Sequence, residues 1–521
     1  MNSFSNCPRE LEPTIIELPE VLPPDFPTGT LYRNGHARFV ADDETHCLHP
    51  FDADGMIVAI TFDASKPSQV LFRNKFVETE GYIKDKEMGG ISQRGLFGTN
   101  KSGGLIANLF QKDYKHVANT HVIHCGLTDL DGLLSDNFSA HPRYDPVRNT
   151  YVSFGHTFDQ IKSKFVVSLY EVDATTFRSK RKNGVAPNFV LGAPALIHDF
   201  ILTTNYCIFF LNDTRINVMS AIKVMLGSGG FAGSLEVDKD AKHSHAVLIP
   251  RSLFDYKEQD AVSDMDLFQD ERVTVVQMNR HFAFHYANAF EDMDGNVVFD
   301  TVQNNDMELG IDVEKPFWKI ENSFGDVSPI RQIFLAYGRS PSRLIRYTVD
   351  IQNKRLAIGN DQSKVLSTRM PEFPSIPRDV STRRHRYIYP LALVDVNANP
   401  NINISGSGSG SGEVAAVAKI DSEETTNNEH FLFEPHEIPG EAILVPKAGK
   451  NVSLPSEEDA CYMLVQVTNV KEMKTDVVIF DVEGDRAFEK GPILRFPLPV
   501  FVPLLIHGSF AEGVTFEFGE S

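Results

Sequence analysis

An all-β chain, built as a propeller in preference to a sandwich, is the fold class that the sequence predicts. Short runs rich in β-branched and aromatic residues recur from end to end, and apolar spacing of the 3.6-residue kind is scarce. The third observation is length. Radial repetition of small sheets absorbs 521 residues without a long open edge, which a sandwich of that size would have to leave.

The strands are read in order. Val166–Val172 (VVSLYEV), Tyr206–Leu211 (YCIFFL), Val273–Met278 (VTVVQM) and Asn296–Val302 (NVVFDTV) each end on Gly, Pro, Asn or Asp, as do Leu344–Ile351, Cys461–Val467 and Asp476–Asp481. EDMDGN (Glu291–Asn296) has the outline of a calcium loop, but its Asp-Gly pair predicts a hairpin turn. Pro250–Glu258 has room for a turn or two of helix. The tract SGSGSGSG (Ser405–Gly412) predicts a flexible loop over residues 404–413. Strand-like sequence resumes at Val414, so this loop lies inside one domain spanning 22–521, preceded by an N-terminal extension over 1–21.

Hydrophobic residues make up 42% and charged residues 23% of the chain, a globular composition. The formal net charge of -20 argues against the phosphate backbone of nucleic acid as a partner, since that contact needs clustered Lys and Arg. Five scattered cysteines (Cys7, Cys47, Cys125, Cys207, Cys461) with no CxxC pair suit a reducing compartment. The first residues are acidic and lack an apolar core, and the run Phe496–Ile506 is broken by Pro497, Pro499 and Pro503. The expectation is a cytoplasmic protein without a signal or transit peptide or a membrane span. The Asn-x-Ser/Thr matches at Asn137, Asn212, Asn403 and Asn451 are then incidental.

Four of the 17 histidines stand out by their company. His141 sits in SAHPRYDP, His198 in LIHDFILT, His285 in FAFHYANAFED and His507 in PLLIHGSF. Each puts one imidazole on an apolar segment with nothing local to satisfy it. Sites so far apart converge only in a closed fold. Imidazole suits iron, zinc, copper or nickel. Four neutral ligands call for outer carboxylates that accept the remaining ring N–H, and Glu372 (MPEFPSIP) and Glu441 (PGEAILVP) are candidates. His116, His121 and His124 lack such spacing and are read as surface or blade residues.

These segments resemble the carotenoid cleavage oxygenase family, which includes apocarotenoid oxygenases, lignostilbene dioxygenases and the retinal pigment epithelium isomerohydrolase. The likeness runs through LPPDFPTGTLYRNG, HPFDADGM (where the family has Gly for Ala53), AHPRYDP, IHDF, HYANAFED, EFP, GEAILVP, SEEDACYML and LPVFVPLLIHGSF. It implies a seven-bladed β-propeller with a loop and helix dome over a central Fe(2+). It carries the metal-ligand role onto His141, His198, His285 and His507, and the supporting role onto Glu372 and Glu441. Asn119–Thr120 matches the family's Asn-Thr pair, which makes Thr120 a candidate catalytic residue beside the open coordination position. The implied reaction is oxidative cleavage of a C=C bond in a carotenoid or apocarotenoid by O2, giving aldehyde or ketone products. A hydrophobic polyene would be the substrate, and the apolar stretch Ile216–Leu235 a peripheral membrane contact.

The chain departs from the family in one place. Only twenty residues separate Thr120 from His141, where relatives carry a longer stretch with an Ala-Leu-x-Glu core and a third supporting Glu. Asp129 and Asp131 are the nearest carboxylates. Losing such a partner costs about 10–100-fold in affinity or activity. Two other enzymatic readings stay open, a stilbene-cleaving dioxygenase and a retinoid-type isomerohydrolase. A non-enzymatic one also does, a catalytically impaired propeller that binds apocarotenoids.

Overall fold

A computed structural model describes residues 4–109, 113–124, 138–159, 164–179, 188–191, 197–212, 214–228, 230–238, 240–254, 265–266, 268–304, 342–357, 363–395, 403–406 and 413–517. Among the described residues, the strands form six sheets of four or five strands and one two-stranded ribbon. Most strands pair antiparallel with their neighbours in sequence, as the hairpin signals predict. The Asp-Gly turn joins Tyr286–Glu291 to Val297–Asn304, and Asp292 caps it by accepting from the amides of Asp294 and Asn296.

The period-2 pattern of YCIFFL explains how the sheets pack. Cys207, Phe209 and Leu211 face one core, shared with Phe154, Phe189 and Val247. Ile208 and Phe210 face the opposite one, shared with Tyr286 and Phe299. A strand buried on both faces between two neighbouring sheets is the signature of stacked blades, and it accounts for the continuous apolar run.

Six inner edge strands succeed one another around the molecule. Arg143–Asp145 lies against Ile201–Leu202, which lies against Tyr286–Glu291, and that strand lies against Glu372–Ser375. The sixth sheet contributes Glu437–Pro439 and Ile443–Pro446, and the latter packs on Leu505–Glu512. Leu505–Glu512 is the inner strand of the first sheet, paired with Gly29–Arg38, so chain start and chain end close one blade together.

The described part of the segment between the first and second sheets holds the helices Glu80–Met88 and Gly104–Asn108 and an extended run, 113–124. That run is stitched to the first sheet. Asn34 donates to the carbonyls of Ala118 and His121, and Ser509 donates to that of Val122. Residues 110–112 and 125–137, with Cys125, Asp129, Asp131 and Asn137, lie outside the described residues. The Lys115 ammonium is buried between Asp54 (2.5 Å) and Asp85 (2.7 Å), which anchors the run.

The structure sharpens three expectations. The N-terminal extension is part of the first sheet, because Leu11–Glu17 forms its outer edge against Gln69–Phe76. At the start of the Ser-Gly tract, Asn403–Gly406 pairs in parallel with Glu429–Leu432. Ladder bonds come from the backbone, which Ser and Gly supply as well as any residue; residues 407–412 lie outside the described ones. The helix expected over Pro250–Glu258 is a 3-10 turn, Arg251–Phe254, and residues 255–258 are likewise outside.

Candidate metal centre

The inner strands deliver one side chain each to a common point. His141 stands two residues before Arg143–Asp145, and His198 three before Ile201–Leu202. His285 directly precedes Tyr286–Glu291, while His507 is the third residue of Leu505–Glu512. Glu372 opens its strand, and Glu441 lies in the turn between the two inner strands of the sixth sheet.

The four imidazoles meet. The His141 ring centroid is 4.6 Å from that of His198, 5.2 Å from His285 and 4.8 Å from His507. His285 lies 5.2 Å from His198 and 5.1 Å from His507. Nε2 of His141 and Nε2 of His198 are 3.0 Å apart, too close for two bare lone pairs without a shared proton or cation. Nδ1–H of His285 donates to Glu372 Oε2 at 2.6 Å, and Nδ1–H of His507 donates to Glu441 Oε1 at 3.0 Å. A carboxylate only accepts, so these bonds fix both tautomers and leave each Nε2 as a lone pair. Both Nε2 atoms are buried without a partner. Converging, unpaired imidazole lone pairs are the donor set that a divalent transition metal takes. The residues present therefore fit a metal.

Electrostatics agrees for three of the four. Burial, and then the neighbouring imidazoles, push His141, His198 and His507 well below the ordinary imidazole pKa. They stay neutral and able to ligate. Burial also disfavours charge on His285, but the Glu372 carboxylate outweighs it and the pKa sits above the usual value. Glu441 is raised by burial, against the pull of Arg33.

A cavity of about 870 Å³ opens from the cluster, within the range of small-molecule sites. His198, His285 and His507 line it, together with Phe51, Phe97, Phe138, Phe284, Phe373, Ile123 and Ile506. Thr120 is in this wall. Its hydroxyl donates to Asn119 Oδ1 at 3.2 Å, and the Asn119 amide is itself held by the carbonyls of Phe51 and Ala53. His116 and His121, read from the sequence as plain blade or surface residues, also line the cavity. His121 Nε2 lies 3.3 Å from the Gly508 carbonyl, and its ring is 5.8 Å from His507. The signal that could have found it is its place directly after the Asn-Thr pair. His124 stays outside, stacked on Tyr32.

The family model for "Retinal pigment epithelial membrane protein" matches residues 4–128 and 124–512. The chain belongs to the carotenoid cleavage oxygenase family. Among its members, an apocarotenoid-15,15'-oxygenase of Synechocystis sp. is 26% identical over 98% of this chain and 96% of its own. A resveratrol cleavage oxygenase of Aspergillus fumigatus is 24% identical over 89% and 85%. The solved structure of the cobalt-substituted Synechocystis ACO superposes with a TM-score of 0.77 at 26% identity, covering 98% of both chains. An ACO/RPE65 chimera gives 0.78 at 25%, again over 98% of both. The β-propeller of the family is the fold of this chain, in agreement with the sequence reading.

Proposed function

We propose that this protein is a non-haem Fe(2+) oxygenase that cleaves a C=C bond of a carotenoid or apocarotenoid with O2. The observation that carries it is the convergence of four imidazoles, two of them with buried lone pairs, at one end of an apolar cavity. His141, His198, His285 and His507 would hold the iron, and Glu372 and Glu441 would set two of the rings. Iron bound there supplies dioxygen activation, chemistry that no side chain provides. The chain's own part is to bind, orient and keep dry. The aromatic wall receives a polyene that water solvates poorly. Thr120 is the residue proposed to limit what sits beside the metal, with its hydroxyl held toward Asn119.

The family name of the Synechocystis relative supports the apocarotenoid reading. A stilbene is the second reading, since another relative is named for resveratrol. Anaerobic reconstitution with Fe(2+), elemental analysis, and then incubation with a polyene aldehyde and a stilbene under labelled oxygen gas test both. About one iron per chain and shorter, labelled aldehydes support cleavage. Products with an unchanged carbon count mean isomerisation, and a folded protein that takes no iron leaves the binding propeller.

The polyene would be drawn from a lipid surface. The apolar stretch Ile216–Leu235 contains the helix Val218–Met225, with the Asn217 side chain accepting from the Ser220 amide. Val218, Met219, Ile222, Met225, Leu226 and Phe231 are exposed on it. Ile106, 85% exposed, joins them from the helix Gly104–Asn108, whose Asn108 packs against Gly227. An apolar patch of this size on a short amphipathic helix is the form of an interfacial anchor. It abuts the cavity, for the Ala232 amide donates to the carbonyl of Leu96, a wall residue. No described helix is long and apolar enough to cross a membrane. Leu226→Asp should reduce sedimentation with phospholipid vesicles several-fold, and unchanged partitioning removes the patch from the account.

A further inference from the structure

Glu372 and Glu441 support two of the four histidines. Among the described residues, no carboxylate is bonded to the ring of His141 or His198. A different device sits beside them. Asp199 follows His198, Arg143 is two residues beyond His141, and Tyr286 follows His285. The Asp199 carboxylate is fully buried. Its Oδ1 accepts from the Phe200 amide (2.7 Å) and Arg143 Nε (3.3 Å), and its Oδ2 accepts from the Tyr286 amide (3.2 Å) and a terminal nitrogen of Arg143. The same guanidinium donates to the carbonyls of Phe200 and Tyr286, both at 2.9 Å.

Two bonds join the ion pair, and four more hold the backbone of Phe200 and Tyr286, so the strand after His141 is tied to the chain beside His198 and His285, in three different sheets. The fork of a guanidinium matches a carboxylate and still leaves edges for carbonyls, which an ammonium cannot do. We propose that Arg143 and Asp199 are positioning residues of the metal centre, holding the backbone beside His198 and His285 and tying it to the strand that follows His141. Neither touches the metal or the substrate. The inference rests on the metal reading of the cluster.

Cobalt(II) is the probe, because its absorption reports ligand geometry and its titration reports affinity. Arg143→Lys keeps the charge but loses the fork, and Asp199→Asn keeps the shape but turns one donor toward the donors it faces. Each should weaken Co(II) binding about 10–100-fold, as removing an outer partner does, and should alter the cobalt spectrum. Arg251→Lys is the control. Arg251 is more deeply buried than Arg143, in a bridge to Asp145 and Glu171, and bonds no residue adjacent to a ligand. It should lower the melting temperature and leave the cobalt spectrum of the remaining folded protein unchanged. Folded Arg143→Lys with wild-type affinity and spectrum overturns the positioning role, even if Asp199→Asn does not fold. A folded wild type that takes no cobalt overturns the metal reading itself, and the positioning role with it; the two failures are told apart without any variant.

Discussion

At the scale of single residues, the centre is a set of imidazoles whose protons are already placed. His285→Ala removes one of the buried, unpaired lone pairs. Iron should fall from about one per chain to near zero in elemental analysis, with the fold intact by circular dichroism. Glu372→Gln leaves an amide where His285 needs an acceptor, and either face of that amide orients the ring less firmly. Iron affinity should drop about 10–100-fold, measured by competition with a chelator. These residues were legible because each candidate histidine stands alone among Pro, Phe, Ile or Leu, so its local sequence explains nothing about it. His121 was not. Its place after the Asn-Thr pair was a hint, but its partner is the carbonyl of Gly508, 387 positions away, and a contact so distant is not written in the neighbouring residues. The Arg143–Asp199 pair was hidden for the same reason, although both residues stand within the quoted motifs.

At the scale of elements, the ligands sit at the entry of inner strands, where the backbone is fixed by its neighbours yet the side chain can still turn toward the axis. Gly508 shows how narrow that allowance is. A Cβ there would lie 2.3 Å from the Tyr32 carbonyl oxygen across the strand pair. Gly508→Ala must therefore push Leu505–Glu512 away from Gly29–Arg38. It should cost about 1–3 kcal/mol by overpacking, read in denaturant titration, and it should lower metal content through the adjacent His507. The strand runs were readable from β-branched and aromatic residues bounded by turn formers. The edge strands were not. Leu11–Glu17 contains Pro13 and two glutamates, and Asn403–Gly406 runs into a Ser-Gly tract. Both are edges, where pairing on one side is enough and composition is free to look like a linker.

For the whole molecule, burying neutral histidines makes stability depend on pH. His36 is held down to about 3 and His430 to about 4, in both cases chiefly by burial. Unfolding returns them to an ordinary imidazole near 6.5. Between those values the unfolded chain binds more protons than the folded one, so this stability is complete above about pH 6.5 and is lost as pH falls toward 4. The two groups together should lower the unfolding free energy by about 3 kcal/mol between pH 6.5 and 5. Thermal melts of His430→Gln should show a shallower acid slope than the wild type; an equal slope removes His430 from the balance. The propeller itself was readable from strand density and length, while its inner order was not. That order depends on which faces of strands such as Tyr206–Leu211 are shared with which neighbour.

The shared closing blade also has a consequence in time. Gly29–Arg38 is made early, but its inner partner begins at Leu505, 467 residues after Arg38. At roughly 5–20 residues per second of synthesis, the edge of the first sheet waits on the order of half a minute to a minute and a half for its mate. Throughout that interval it presents a row of unpaired amides and carbonyls, open to any other extended chain nearby. The strand that ends the wait is the one bearing His507, so the fourth imidazole arrives only as the ring closes. A nascent chain therefore passes most of its synthesis both unclosed and short of one histidine.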